Sequence, residues 1–147
     1  MTKIDTSDWK EFKLSDMFNI DMGNKFDKNK VIRTDGDYIN FIGRTGSNNG
    51  INATCGIYHN TKPFPAGLLT LSLGGTVGAC FVQQQQFYTS QNVCVLIPIH
   101  NMNMNQKLFI ASCIFKESQL NYSAFIKELN KHVKHDFTFK LPVDAND

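Results

Sequence analysis

Residues 68–83, "LLTLSLGGTVGACFVQ", decide the fold class. Two apolar runs, "LLTLSLGG" and "VGACFVQ", are too short for helices, and Gly74, Gly75 and Gly78 punctuate them. They read as neighbouring strands joined by a tight hairpin, where Gly74 and Gly75 can take positive φ without a Cβ clash. The glycines superficially suggest a phosphate-cradling loop. No lysine follows as a P-loop needs, however, and "ACFVQ" continues as a strand instead of opening a helix. The turn "TKPFPAG" comes before and the strand-like "VCVLIPI" after, so the middle of the chain is a consecutive set of strands.

Working outward, "YINFIG" reads as a strand and "CGIYH" as a short second one. At the start, "WKEFKLSDMFNIDM" places Trp9, Phe12 and Leu14, then Met17, Phe18 and Ile20, at apolar positions. A strand, one helical turn capped by Ser15 or Asp16, and a second strand account for that spacing. Residues 23–37 are polar, basic and turn-rich, a long surface segment with little structure of its own. Helical periodicity comes late. Leu108, Phe109, Ala111, Ile114 and Phe115 form one apolar stripe, and Tyr122, Phe125, Ile126 and Leu129 another, before a closing strand "FTFKLPV". Strands first and helices last predict an α+β domain: a mostly antiparallel twisted sheet with two C-terminal helices packed on one side or end.

A chain of 147 residues fits one domain spanning 1–147, large enough to bury a core without metal or disulfides. Hydrophobic content of 41%, charged content of 19% and twelve phenylalanines are globular values and argue against disorder. Cys55, Cys80, Cys94 and Cys113 form no C-x-x-C pair, and the last three have apolar neighbours, so they read as reduced, buried thiols. His132 and His135 have no cysteine nearby in sequence, which gives no metal site. The amino terminus lacks an apolar signal core and no run of about 18 apolar residues occurs, so the expected setting is cytoplasmic, without a membrane partner.

A net charge of +2 is too small to announce a nucleic-acid partner, but its distribution is uneven. Lys25, Lys28, Lys30 and Arg33 cluster with only Asp27 between them; Lys127, Lys131, Lys134 and Lys140 are diluted by Glu128 and Asp136. Solvated faces are the plainer reading of both. The stretch "NFIGRTGSNNGI", residues 40–51, breaks from an apolar run into Arg44, Thr45, Ser47, Asn48 and Asn49, a loop of short donors and acceptors around one guanidinium. In "QQQQFYTSQN", residues 83–92, strand alternation would turn Gln84 and Gln86 outward beside Tyr88, Ser90 and Asn92. A solvated hairpin end is the alternative there. Asn and Gln can pair with adenine and Arg with guanine, while lysines hold phosphates. The chemistry of catalysis is missing: Asp8, Glu11 and Lys13 are too close in sequence for a metal nuclease centre, and Ser47 has no assignable His or acid partner.

The segments "WKEFKLSDMFNIDMG", "NFIGRTGSNNGI", "FPAGLLTLSLGGTVGACFVQ", "FYTSQNVCVLIP", "KLFIASCIF" and "FKLPVD", taken in this order, resemble the target recognition domain of the type I restriction-modification DNA specificity subunit. The resemblance implies a domain without an active site that reads one half of a two-part double-stranded DNA target. It also implies docking on a methyltransferase (modification) subunit, with S-adenosylmethionine bound there and no cofactor here. A second specificity half or a homodimer would complete the target. Arg44, Thr45, Asn48 and Asn49 fall where reading residues are expected, and Lys25, Lys28 and Lys30 where phosphate contacts are. The sequence departs from the family pattern in holding one such domain where a typical specificity subunit has two joined by long helices. It departs also in "NYSAFIKELNKH", which lacks the usual glycine. An interaction protein or decoy that binds the methyltransferase subunit without reading sequence is the alternative.

Overall fold

The computed structural model describes residues 7–27, 39–57, 61–121, 133 and 137–142. Strand β1 (Lys10–Lys13) runs into one helical turn, α1 (Leu14–Met17), and out as β2 (Phe18–Asp21). Leu14 is fully buried and fixes this turn, and its amide donates to the Phe137 carbonyl at 3.0 Å, satisfying an N–H that the short helix cannot. Lys13 is the N-cap residue and no side chain caps the turn, so neither Ser15 nor Asp16 has the capping role expected of it.

Among the described residues the remaining strands are β3 (Ile39–Ile42), β4 (Ile51–Cys55), β5 (Leu69–Ser72), β6 (Cys80–Val82), β7 (Phe87–Thr89), β8 (Val93–Pro98) and β9 (Thr138–Leu141), with helix α2 (Met104–Asn121) before the last. They form three sheets and not one: β1–β9, β2–β8–β5–β6 and β4–β3–β7. Every strand pairing is antiparallel except β3 with β7. The α+β class and the antiparallel character hold. Of the two helices expected, the described residues contain one long one; the stripe Tyr122, Phe125, Ile126 and Leu129 lies outside them. The strand after the polar loop is "INATC", four residues earlier than "CGIYH" suggests.

β5 lies between β8 and β6 and is buried along its whole length, so its four residues show no alternation. Leu69 pairs with Leu96 on one side and Val82 on the other. Helix α2 covers this sheet with Ile110, Ala111, Ile114 and Ser118. That row differs from the expected stripe: Leu108 and Phe109 are 50% and 41% exposed. The helix turns this row inward where Ser118 sits directly over Gly78, and the Ser118 hydroxyl is satisfied within the helix, donating to the Ile114 carbonyl at 2.8 Å. Phe109 instead meets Trp9 edge to face, with ring centroids 5.8 Å apart. Across β1–β9, the Thr138 hydroxyl donates to the Glu11 carboxylate at 2.6 Å.

The β4–β3–β7 sheet has its own apolar clusters, Ile39, Phe41, Cys55 and Tyr88 on one side and Ile42, Phe87, Val93 and Val95 on the other. The second cluster includes β8 residues and so joins the two larger sheets. No helix among the described residues is long and apolar enough to cross a membrane.

Cys55, Cys80 and Cys94 are buried and Cys113 is half-buried. Cys80 and Cys94 pair with Leu71 from opposite sides, which separates them by two strand spacings, about 10 Å, too far for a disulfide. Burial raises the Cys113 pKa, opposed by the Ser112 hydrogen bond and the charge of Lys116. Brief alkylation of the folded protein at pH 8 should therefore label Cys113 first, and more slowly than a free thiol because less thiolate is present. Peptide mass spectrometry reads this directly, and early labelling of Cys80 or Cys94 would contradict the sheet order.

Candidate nucleic-acid interface

The polar loop begins where β3 ends. The Gly43 amide donates to the Gly50 carbonyl at 2.9 Å and the Gly50 amide to the Ser47 carbonyl at 3.0 Å, closing residues 43–50 through a 3-10 turn, Asn48–Gly50. Asn48, Asn49 and Gly50 all have positive φ, at 51°, 55° and 80°. Asparagine tolerates this left-handed region better than other L-residues, so "NNG" has a backbone reason. Thr45 Oγ1 lies 3.0 Å from Ser47 Oγ and accepts the Ser47 amide at 3.2 Å, while Asn48 Nδ2 donates to the Ile51 carbonyl at 3.1 Å. These side chains shape the loop from within.

Two outside supports hold it. On one side, Asn49 Nδ2 donates to the Val82 carbonyl at 3.0 Å. The wholly buried Gln83 donates from Nε2 to the Asn49 carbonyl at 2.9 Å and to Thr70 Oγ1 at 3.0 Å. On the other side, the Thr76 amide donates to the Arg44 carbonyl at 3.0 Å. A Cβ on Gly75, whose φ is +58°, would lie 2.7 Å from that carbonyl oxygen, and one on Gly74 would lie 3.5 Å from Arg44 Cδ. The β5–β6 connection is therefore a longer loop, residues 73–79, and not a tight hairpin. Gly75 and Gly78 take positive φ there, whereas Gly74 does not. The glycines make a seat for Arg44.

Gln83→Met, which keeps the volume and removes the amide, should destabilise the protein by about 1 to 3 kcal/mol, since the Asn49 carbonyl and Thr70 hydroxyl lose a buried partner. The amides of Gly43 and Gly50 should exchange hydrogen faster. Urea unfolding and amide exchange check the two effects, and unchanged exchange would mean that the Gln83 brace is dispensable to the loop.

Beside Arg44 opens a polar cleft of about 310 Å³, lined also by Phe26, Asp27, Phe41, Asn52, Ser90 and Gln91. Four separate segments build it. Because β3 and β7 are parallel, their carboxyl ends emerge together, and the Ser90 amide donates to the Ile42 carbonyl at 2.9 Å. Asn52 comes from the outward face of β4 and covers Gly43, where a Cβ would overlap its amide nitrogen. Asp27 arrives on the segment after β2, which is strapped to β7: Asn24 N donates to Thr89 Oγ1 at 2.8 Å, Thr89 N to Asn24 Oδ1 at 2.9 Å, and Phe26 N to the Thr89 carbonyl at 3.1 Å. The first part of the 23–37 segment, read as having little structure of its own, is thus held against the sheet by bonds to β7.

Arg44, Ser47 and Asn48 are exposed, Thr45 and Asn49 half-buried. Ser90 and Asn92 lie on the Arg44 side: Ser90 lines the cleft, and the backbone carbonyl of the exposed Asn92 accepts the Leu73 amide at 2.8 Å next to Gly74. Gln84 and Gln86 are exposed in the β6–β7 turn, at the opposite end of β7, about 10 Å away for a strand of three residues. They share this turn with Gln85, so the expected alternation does not occur. Tyr88 is wholly buried; its hydroxyl donates to the Thr61 carbonyl and its ring lies 5.4 Å from that of Phe26, under the cleft. Lys25 is exposed beside Asp27, whereas Lys28, Lys30 and Arg33 lie outside the described residues. Nothing in the local sequence marks Asp27 and Gln91 as cleft residues. The alternation of "INATC" after a glycine-bounded loop is the one signal that points to Asn52. Among the described residues, no three His, Cys, Asp or Glu side chains converge on a metal-sized site.

No curated protein matches the sequence significantly. Solved structures do match the fold. The type I restriction-modification S subunit from M. genitalium superposes with a TM-score of 0.66 at 14% identity, over 92% of this chain and 34% of that one. The HsdS subunit from Thermoanaerobacter tengcongensis gives 0.63 at 15% identity, over 95% and 34%. A chain from a study of complex assembly and conformational transition in the type I R-M system gives 0.64 at 16%, over 96% and 35%. The chain spans about a third of the length of these structures. At the level of sequence, the family described as type I restriction modification DNA specificity domain matches residues 6–147, and the chain belongs to that family.

Proposed function

We propose that this chain reads one half of a two-part double-stranded DNA target for a restriction-modification methyltransferase and endonuclease complex, without catalysing a reaction itself. The observation that carries the reading is the cleft: Arg44, Asn52, Ser90 and Gln91, from three separate segments, present a guanidinium, two amides and a hydroxyl together, in a member of a DNA specificity family. Side chains of these types address base edges, and the exposed Lys25, two residues before Asp27, is suited to a phosphate. In this reading the modification subunit binds S-adenosylmethionine, and a second specificity half or a second copy of the chain supplies the other half-site. A single half-site offers few contacts, so the chain alone binds weakly and pairing adds avidity.

The test is selection from a randomised duplex pool at low, stated salt, with and without a candidate methyltransferase subunit. An enriched short motif is the expected result. No enrichment in either condition, with the protein folded, favours an interaction protein that binds the methyltransferase without reading sequence. The half-exposed Met104, Leu108 and Phe109 on α2 are the feature that such a protein would use.

A further inference from the structure

We infer, resting on the DNA-reading proposal above, that the Arg44 cleft takes the major-groove edge of one G·C pair, with Arg44 on the guanine and Asp27 on the cytosine. The two side chains line the same cleft and are chemical opposites: a guanidinium only donates hydrogen bonds and a carboxylate only accepts them. Across the major groove a G·C pair offers two acceptors, guanine N7 and O6, and then one donor, the cytosine amino group. An A·T pair sets a donor beside its first acceptor and ends in a methyl group. A site made of donors followed by an acceptor fits the first pattern and leaves unpaired groups against the second.

The carboxylate also argues against the plainer use of the cleft. A phosphate drawn to Arg44 would lie against Asp27 and be repelled, so the backbone belongs outside, at Lys25. The geometry around Arg44 suits base reading for a further reason. Its carbonyl is held by the Thr76 amide at 3.0 Å and its side chain runs along Gly74, so less of its freedom remains to be lost on binding. Asp27 is placed by the Phe26 amide bond to Thr89, one residue away. Ionised carboxylates have about four lone-pair sites, so Asp27 can keep a partner within the protein and still accept from cytosine. The remaining lining, Asn52, Ser90 and Gln91, suits the edge of the next base pair.

The experiment uses the full chain and the motif obtained from the duplex pool. In wild-type protein, replacing the guanine of one invariant G·C pair by 7-deazaguanine removes the N7 acceptor and keeps base pairing; binding should fall about 10-fold or more. Selection repeated with Asp27→Ala, which removes the acceptor, should return the same motif relaxed at that pair, with the discrimination of about 5- to 150-fold expected of a good contact reduced there and kept elsewhere. A motif with no 7-deazaguanine-sensitive position, or one that Asp27→Ala leaves unchanged, overturns the inference while the DNA reading stands. An equal loss on every sequence with Asp27→Ala also overturns it, making Asp27 an internal partner of the cation. If wild-type protein enriches no motif, the DNA reading falls and this inference with it. The 7-deazaguanine arm needs no variant, so it holds even if Asp27→Ala folds poorly.

Discussion

Gly78→Ala should destabilise the protein by about 2 to 5 kcal/mol, from about 1 to 3 for overpacking and about 1 to 2 for a left-handed residue with a Cβ. Gly78 has φ +85°, and a Cβ there would collide with the Cβ and hydroxyl of Ser118. Neither partner can easily yield. The Gly78 amide is fixed by its bond to the Ser72 carbonyl at 2.8 Å, and Ser118 is wholly buried on the core face of α2. The helix would have to lift from the sheet, exposing part of the cluster that contains Ile110, Ala111 and Ile114. Against a usual total of about 5 to 15 kcal/mol, that is a large share. Urea unfolding measures the loss. Ser118→Gly removes the opposing Cβ, so the double variant should regain part of it even though glycine in a helix costs about 1 kcal/mol. If backbone strain carried the whole effect, the double variant would instead fall about 1 kcal/mol below Gly78→Ala, the cost of the helical glycine. The same connection carries Gly74 and Gly75, so a lifted helix would also disturb the seat of Arg44.

How much of this was legible in the sequence depends on whether the cause was local. β5, β6, β8 and β9 could be found because apolar runs bounded by glycine, proline and polar turns mark strands whatever they pair with. "FYT" escaped notice as a strand of its own. It is three residues long and all three are buried, so no alternation marks it, and its parallel pairing with β3 is a tertiary fact. The helix is legible, and Ala111 and Ile114 of its expected stripe face the core, but Leu108 and Phe109 do not. Large apolar residues suggested Leu108 and Phe109, while close approach at Gly78 selects the row ending in Ser118. For the site, Arg44 was legible as a lone cation directly after a strand. The amides around it are ambiguous in sequence: Asn48, Asn49 and Asn92 suit base reading by their side chains, yet all three hold positive φ, a backbone task that also favours asparagine. Asp27 and Gln91 come to Arg44 from segments distant in sequence, and no spacing within one segment encodes that meeting.

Arg44→Ala should cost about 1 to 3 kcal/mol of affinity for the preferred duplex and relax the choice at one base position. The competing role is a phosphate contact, and two measurements separate them. A base reader loses affinity only where its base was right, so binding to mismatched duplexes should hardly change. A phosphate contact loses affinity on every sequence and lowers the slope of log K against log salt by about 1, because one fewer set of counterions is released. Arg44→Lys sharpens the distinction. It keeps the charge, so a phosphate contact should survive, while the planar fork that meets guanine O6 and N7 together is gone and selectivity should be lost. Since Arg44 is exposed and its carbonyl, not its side chain, carries the bond to Thr76, neither substitution should move the unfolding midpoint appreciably. Lost selectivity at unchanged stability is therefore the signature of a residue that reads. Lost stability would instead make Arg44 part of the clasp between the 43–50 loop and the β5–β6 connection.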